Sequence, residues 1–144
     1  MIDIFSLSAN KLVEKLKAGE VSSVEVCTQY IDRIKNFEKD VKAWAHFDKK
    51  ELLEKAAEAD EYRKSGKPLG VLHGLPVAVK DIIGTLDMPT ECGTVIRKKM
   101  TGSQEAEVVN LLKIAGAIIM GKTETTELAY FHPGKTTNPH DHSR

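Results

Sequence analysis

At Pro68 the spacing of apolar residues changes, and that change restricts the chain to folds that combine helices with a sheet. Before it, apolar side chains recur every three or four residues; after it, they come in short continuous runs. The first pattern is one face of an α-helix and the second is a buried strand, so the helical faces must pack on one another or on a sheet.

Residues 1–66 read as three helices. The first, from about Ser8 to Ala18, carries Leu12, Val13 and Leu16 on one face and meets Gly19, which ends it. In the second, Ser22 and Glu25 have the spacing of a capping box, and Val24, Cys27, Tyr30, Ile31 and Ile34 recur at helical intervals. The third starts at Asp48, with Glu51 three residues on, presents Leu52, Leu53, Ala56 and Ala59, and stops near Ser65-Gly66-Lys67-Pro68. Beyond Pro68, strands are predicted at Val77–Val79 and Ala117–Met120. Between them lie a loop rich in Gly, Thr and Pro and a helix from about Glu105 to Ala115, an order that fits an α/β crossover onto a parallel sheet. Two strands do not make a stable sheet by themselves; the expected fold is α/β, with helices over 1–66 and strands and a helix over 67–144. The stretch from His132 onward, with Pro133, Gly134, Asn138 and Pro139, has no periodicity and reads as a loop.

Charge and cysteine usage narrow the function. Lys+Arg and Asp+Glu number 21 each, so neither nucleic acid nor an anionic membrane surface is implied as a partner. Cys27 and Cys92 lie far apart and outside any Cys-x-x-Cys pair, which fits a reducing cytoplasm. The N-terminus lacks a basic region followed by an apolar stretch, and no apolar run is long enough to span a bilayer.

One lysine stands out. A strand through Pro76 to Asp81 alternates its side chains, so Ala78 and Lys80 share one face while Val77, Val79 and Asp81 share the other. Asp81 therefore points away, and Lys80 has no neighbouring counter-ion on its face. Buried there, an ammonium loses its proton more readily than a free lysine, whose pKa is about 10.4, and serves as a base. Left open, the same lysine is simply solvated.

Other motifs resolve to plainer readings. Gly116-Ala-Ile-Ile-Met-Gly121-Lys122-Thr123 fits the phosphate-loop pattern letter for letter, yet Ala117–Met120 favour a buried strand over a compact loop. Gly116 is then expected to end the preceding helix and Gly121 to turn the chain out of the strand. His132, His140, Asp141 and His142 offer metal-ligand chemistry but read as solvated loop residues, and Cys92 has no evident base beside it.

The segment Gly70–Thr94 is followed by Glu105-Ala-Glu-Val-Val109, Ala115-Gly-Ala-Ile-Ile-Met-Gly-Lys-Thr123, Glu127-Leu-Ala129 and Asn138-Pro139. In order and spacing these blocks resemble the N-terminal part of an amidase signature enzyme. The resemblance covers almost the whole chain and implies the beginning of that family's mixed-sheet core, roughly its first third. It also implies a Ser–cis-Ser–Lys triad that hydrolyses a carboxylic amide through an acyl-enzyme, without a metal or organic cofactor. Lys80 matches the triad lysine. Both serines are expected in a Gly/Ser-rich segment beyond Asn-Pro, so this chain alone is expected to be inactive. Ala129 and Tyr130 match positions that line the substrate site in relatives. Glu124 and Thr126 depart from the Asn and Asp often found in relatives that transfer ammonia to aminoacyl-tRNA, which favours a general amidase over an amidotransferase subunit.

The expected partners are a small amide substrate and either the missing C-terminal portion or a second copy, since an incomplete sheet exposes edges and apolar faces. The rival readings are a truncated non-enzymatic module or split subunit that needs its other half, and a nucleotide-binding protein built on Gly116–Thr123.

Overall fold

The structure is a computed structural model that describes residues 2–102 and 104–144. Helix α1 (Ala9–Ala18) starts at Ser8, whose hydroxyl accepts the Lys11 N–H, and ends at Gly19 in the left-handed conformation, φ 74°. Helix α2 (Ser23–Val41) has the capping box in full: Ser22 Oγ accepts the Glu25 N–H at 3.0 Å and Glu25 Oε2 accepts the Ser22 N–H at 2.8 Å. Helix α3 (Lys49–Lys64) starts at Asp48, which accepts the N–H groups of Lys50 and Glu51.

A short strand, β1 (Trp44–His46), lies between α2 and α3, inside the stretch expected to be wholly helical. It pairs antiparallel with β3 (Ile118–Thr123), which also pairs in parallel with β2 (Pro76–Lys80). The sheet order is β1-β3-β2, so it draws one strand from residues 1–66 and two from 67–144. Helix α4 (Glu107–Ile114) forms the crossover from β2 to β3.

Successive residues of β3 serve opposite faces. Ile118 and Met120 pack with Cys27, Leu52 and Ala56 of α2 and α3, whereas Ile119 packs with Val79, Met88 and Val109 on the α4 side. The sheet is thus filled from both faces, as a strand between helix layers requires. Gly121 does not turn the chain out of β3; the strand runs on to Thr123. Glycine is needed there for another reason. A Cβ would lie 2.7 Å from the His46 carbonyl oxygen and 2.8 Å from the Trp44 ring, so only glycine lets β1 approach.

Asp60 sits on the apolar stripe of α3, four residues beyond Ala56, and is 7% exposed. Its carboxylate accepts the N–H groups of Ser23 at 2.7 Å and Val24 at 3.1 Å, binding two of the donors that the start of α2 would otherwise leave unpaired. Asp60→Ala is expected to cost about 2–3 kcal/mol in urea unfolding, and Asp60→Asn less, because the amide still accepts one bond.

Candidate functional site

The candidate site is the C-terminal end of β2 and the loop that follows. Lys80 ends the strand with its side chain exposed, on the same face as exposed Ala78. Val79 and Asp81, on the other face, are 5% and 2% exposed. The alternation matches expectation, but burial of Lys80 does not occur in this chain: no strand pairs with the outer edge of β2 among the described residues.

The buried lysine is Lys122, at 0% exposure. The pairing of β2 with β3 runs Pro76–Ile118 and Val77–Ile119, then slips to Ala78–Gly121, Val79–Lys122 and Lys80–Thr123. Met120 is the extra residue of this bulge. Paired residues share a face, so the slip carries Lys122 onto the face of Val79 and Asp81. There its ammonium donates to Thr90 Oγ1 at 2.7 Å and to the Pro89 carbonyl at 3.0 Å, and lies 3.4 Å from Asp81 Oδ1. Burial lowers the pKa of Lys122, and the Asp81 carboxylate opposes that shift. Residues 116–123 therefore form a turn and a buried strand, not a phosphate cradle.

Asp81 ties the site together. Its N–H donates to the Thr123 carbonyl at 2.9 Å, its carbonyl accepts the Cys92 N–H at 3.0 Å, and Oδ1 accepts the Glu91 N–H at 3.2 Å. Cys92 and Gly93 are both left-handed, φ 56° and 64°, as are Leu128 and Ala129, φ 50° and 61°. The Leu128 N–H donates to the Cys92 carbonyl at 2.8 Å, and the Thr94 hydroxyl to Glu127 Oε1 at 2.7 Å. Left-handed non-glycine residues cost roughly 1–3 kcal/mol each and persist where their surroundings over-determine them. Here two such turns are bonded to each other. They connect Lys80, through Asp81 and Cys92, to Ala129. Tyr130 follows, 84% exposed, its ring edge-on to Phe131.

The other candidates separate from this site. Cys27 is buried against α3 and its thiol is pushed up to about 12, by burial first and by the Asp60 charge second, which leaves it unreactive. Cys92 is buried and unpaired. Asp141 is engaged by Ser143 and Arg144 in its own turn, and among the described residues no three His, Cys, Asp or Glu side chains converge as a metal would need. A cavity of about 790 Å³ between α3 and α4 is lined by Lys55, Asp87 and Lys113, but Asp87 pairs with both lysines, so the charges strut the two helices together. On the Ala78 face, a groove of about 600 Å³ runs beneath Tyr30, Phe37 and Trp44 and meets the tail at Pro139 and His140. No helix is long and apolar enough to cross a membrane among the described residues.

The fold is a mixed α/β one, a three-stranded sheet between helices, whose open edge strand ends in an exposed lysine beside a buried carboxylate. Known proteins agree: the family model described as Amidase matches residues 25–144, and the chain belongs to that family. The glutamyl-tRNA(Gln) amidotransferase protein of Salinispora tropica is 38% identical over 150 residues, covering 100% of this chain and 30% of that relative. Among solved structures, the peptide amidase PAM in complex with the inhibitor chymostatin superposes with a TM-score of 0.88 at 28% identity, covering 99% of this chain and 32% of that one. A fatty acid amide hydrolase superposes with a TM-score of 0.85 at 29% identity, covering 94% of this chain and 25% of that one. The chain thus spans about 30% of the length of the Salinispora tropica relative.

Proposed function

We propose that this chain supplies the lysine of an amide-hydrolysing site, with Lys80 as the proton carrier and the nucleophile outside these 144 residues. In this reading a serine hydroxyl attacks the amide carbonyl as its proton passes, through a second serine, to the Lys80 amine. The tetrahedral intermediate then collapses, the C–N bond breaks, and the proton goes to the leaving amine. Water afterwards cleaves the acyl-enzyme to the carboxylate. The observation that carries the reading is the position of Lys80: at the end of a strand pinned immediately beyond it by Asp81, on the open edge that further chain would have to cover to bury it.

The partner this favours is the remainder of an amidase domain, covering the free edge of β2 and the apolar side chains left outside, of which Val95 and Ile96 are 86% and 84% exposed. Two unpaired cysteines fit a cytoplasmic location. Hydrolysis of simple primary amides is the test, run on the natural polypeptide and on the isolated 144-residue chain. Turnover is expected only where the nucleophile is present. Turnover by the isolated chain that vanishes in Lys80→Ala would refute this division of labour.

A second reading is favoured by the identity to the Salinispora tropica protein: one component of a glutamyl-tRNA(Gln) amidotransferase. Glu124 and Thr126 argue for a general amidase. Amidation of glutamyl-tRNA(Gln) by the natural polypeptide with co-purifying proteins would decide for the amidotransferase.

A further inference from the structure

Lys80 and Asp81 are consecutive and have opposite fates. Lys80 is exposed and makes no ion pair among the described residues, whereas Asp81 is almost wholly enclosed. Their side chains leave the strand on opposite faces, but a lysine stem is long and flexible enough to bend around a strand end toward a carboxylate. Asp81 is the carboxylate next to Lys80 along the chain, and an unmatched charge that near acts on an amine even across the strand. If the two paired, the ammonium form of Lys80 would be favoured, and a protonated amine accepts no proton.

Lys122 occupies that carboxylate instead. Its ammonium donates to Pro89 and Thr90 and forms an ion pair with Asp81 at 3.4 Å. The bulge at Met120 is what places it there; strict alternation along β3 would have put Lys122 on the face of Ile118 and Met120. Burying a lysine is costly unless it is paired, and Asp81 is its main partner in charge. On its open side Asp81 borders a groove of about 230 Å³ that is also lined by Glu91, Lys98, Glu124 and Lys135. Lys135 pairs with Glu124 at 3.1 Å, and Glu91 Oε1 accepts the Lys99 N–H. Among the described residues, Lys122 is the cation that forms an ion pair with Asp81.

We infer that Lys122 is a positioning residue that holds the Asp81 carboxylate inside the protein, denying Lys80 an internal counter-ion and leaving its amine available for proton transfer. This rests on the role proposed above for Lys80. The test is trace acetylation of the natural polypeptide with acetic anhydride, read at Lys80 by mass spectrometry across alkaline pH, because only the unprotonated amine reacts. In Lys122→Met the Asp81 charge is left unmatched beside Lys80, and labelling at a fixed pH is expected to fall by about tenfold. The double variant Asp81→Asn with Lys122→Met removes both charges at nearly constant volume and is expected to label within about twofold of the parent.

Parental labelling in a folded Lys122→Met variant would overturn the inference. So would a double variant that labels about tenfold faster than the parent, because Asp81 would then already be acting on Lys80. Should Lys122→Met fail to fold by circular dichroism, the double variant decides alone. Amide hydrolysis by Lys80→Ala is measured in parallel. Undiminished activity there would remove the proposed function, whereas the labelling pattern tests Lys122 independently.

Discussion

Lys80→Ala is expected to lower kcat for amide hydrolysis by the natural polypeptide about a thousandfold, within the range spanned by positioned acid–base groups, while leaving the stability of the isolated 144-residue chain within about 0.5 kcal/mol of its parent. Both halves follow from the site. The side chain is exposed and unpaired among the described residues, so its removal breaks no buried contact in this chain. A group that moves the nucleophile's proton acts in the transition state, so KM should change little. Lys80→Arg is the informative companion. Arginine keeps the charge and most of the length but does not give up its proton, so a base cannot be rescued by it, whereas a merely electrostatic anchor can. Recovery of more than about a tenth of the parental kcat in Lys80→Arg would exclude the proton-carrier role.

The second large effect falls on stability. Lys122→Met is expected to cost about 3–5 kcal/mol, the loss seen when one partner of a buried ion pair is removed and the other is left in place. Asp81, at 2% exposure, would keep only the Glu91 N–H on its Oδ1, and Thr90 and Pro89 would lose a donor. Adding Asp81→Asn should recover most of the loss, because the uncompensated charge accounts for it. Urea unfolding of the two variants measures this directly. The parent carries a pH signature as well. Burial depresses the Lys122 pKa, so the unfolded chain binds that proton more tightly. Stability from this group should therefore rise as pH climbs through the window below the ordinary lysine value of 10.5. In Lys122→Met that rise should disappear.

How much of this was legible beforehand depended on how local the cause was. The caps at Ser22 with Glu25 and at Asp48 are set by residues three apart, and each falls where the pattern indicated, as does the start of α1 at Ser8. The β2–α4–β3 crossover was readable from the change of period, and the opposed faces of Lys80 and Asp81 from simple alternation. Strand β1 was not, because three residues with a bulged register carry too little pattern and owe their conformation to β3, far along the chain. Lys122 was missed for a related reason. The sequence presents it inside a phosphate-loop pattern and in phase with Ile118 and Met120, and only the bulge reverses that phase. Asp60 did leave a signal, a carboxylate on the apolar stripe of α3, but what it binds lies on another helix.

The end of α2 is completed from a distance. The Thr136 hydroxyl donates to the Val41 carbonyl at 3.0 Å and the Thr137 hydroxyl to the Asp40 carbonyl at 2.8 Å, across sequence separations of 95 and 97 residues. The Thr137 N–H adds a bond to Val41 at 2.9 Å. A helix finished by a segment 95 and 97 residues away closes its last turn only after the elements between them are in place. Amide protons near its C-terminus should then exchange in step with those of the tail, and a protease that clips the tail should loosen the helix behind it.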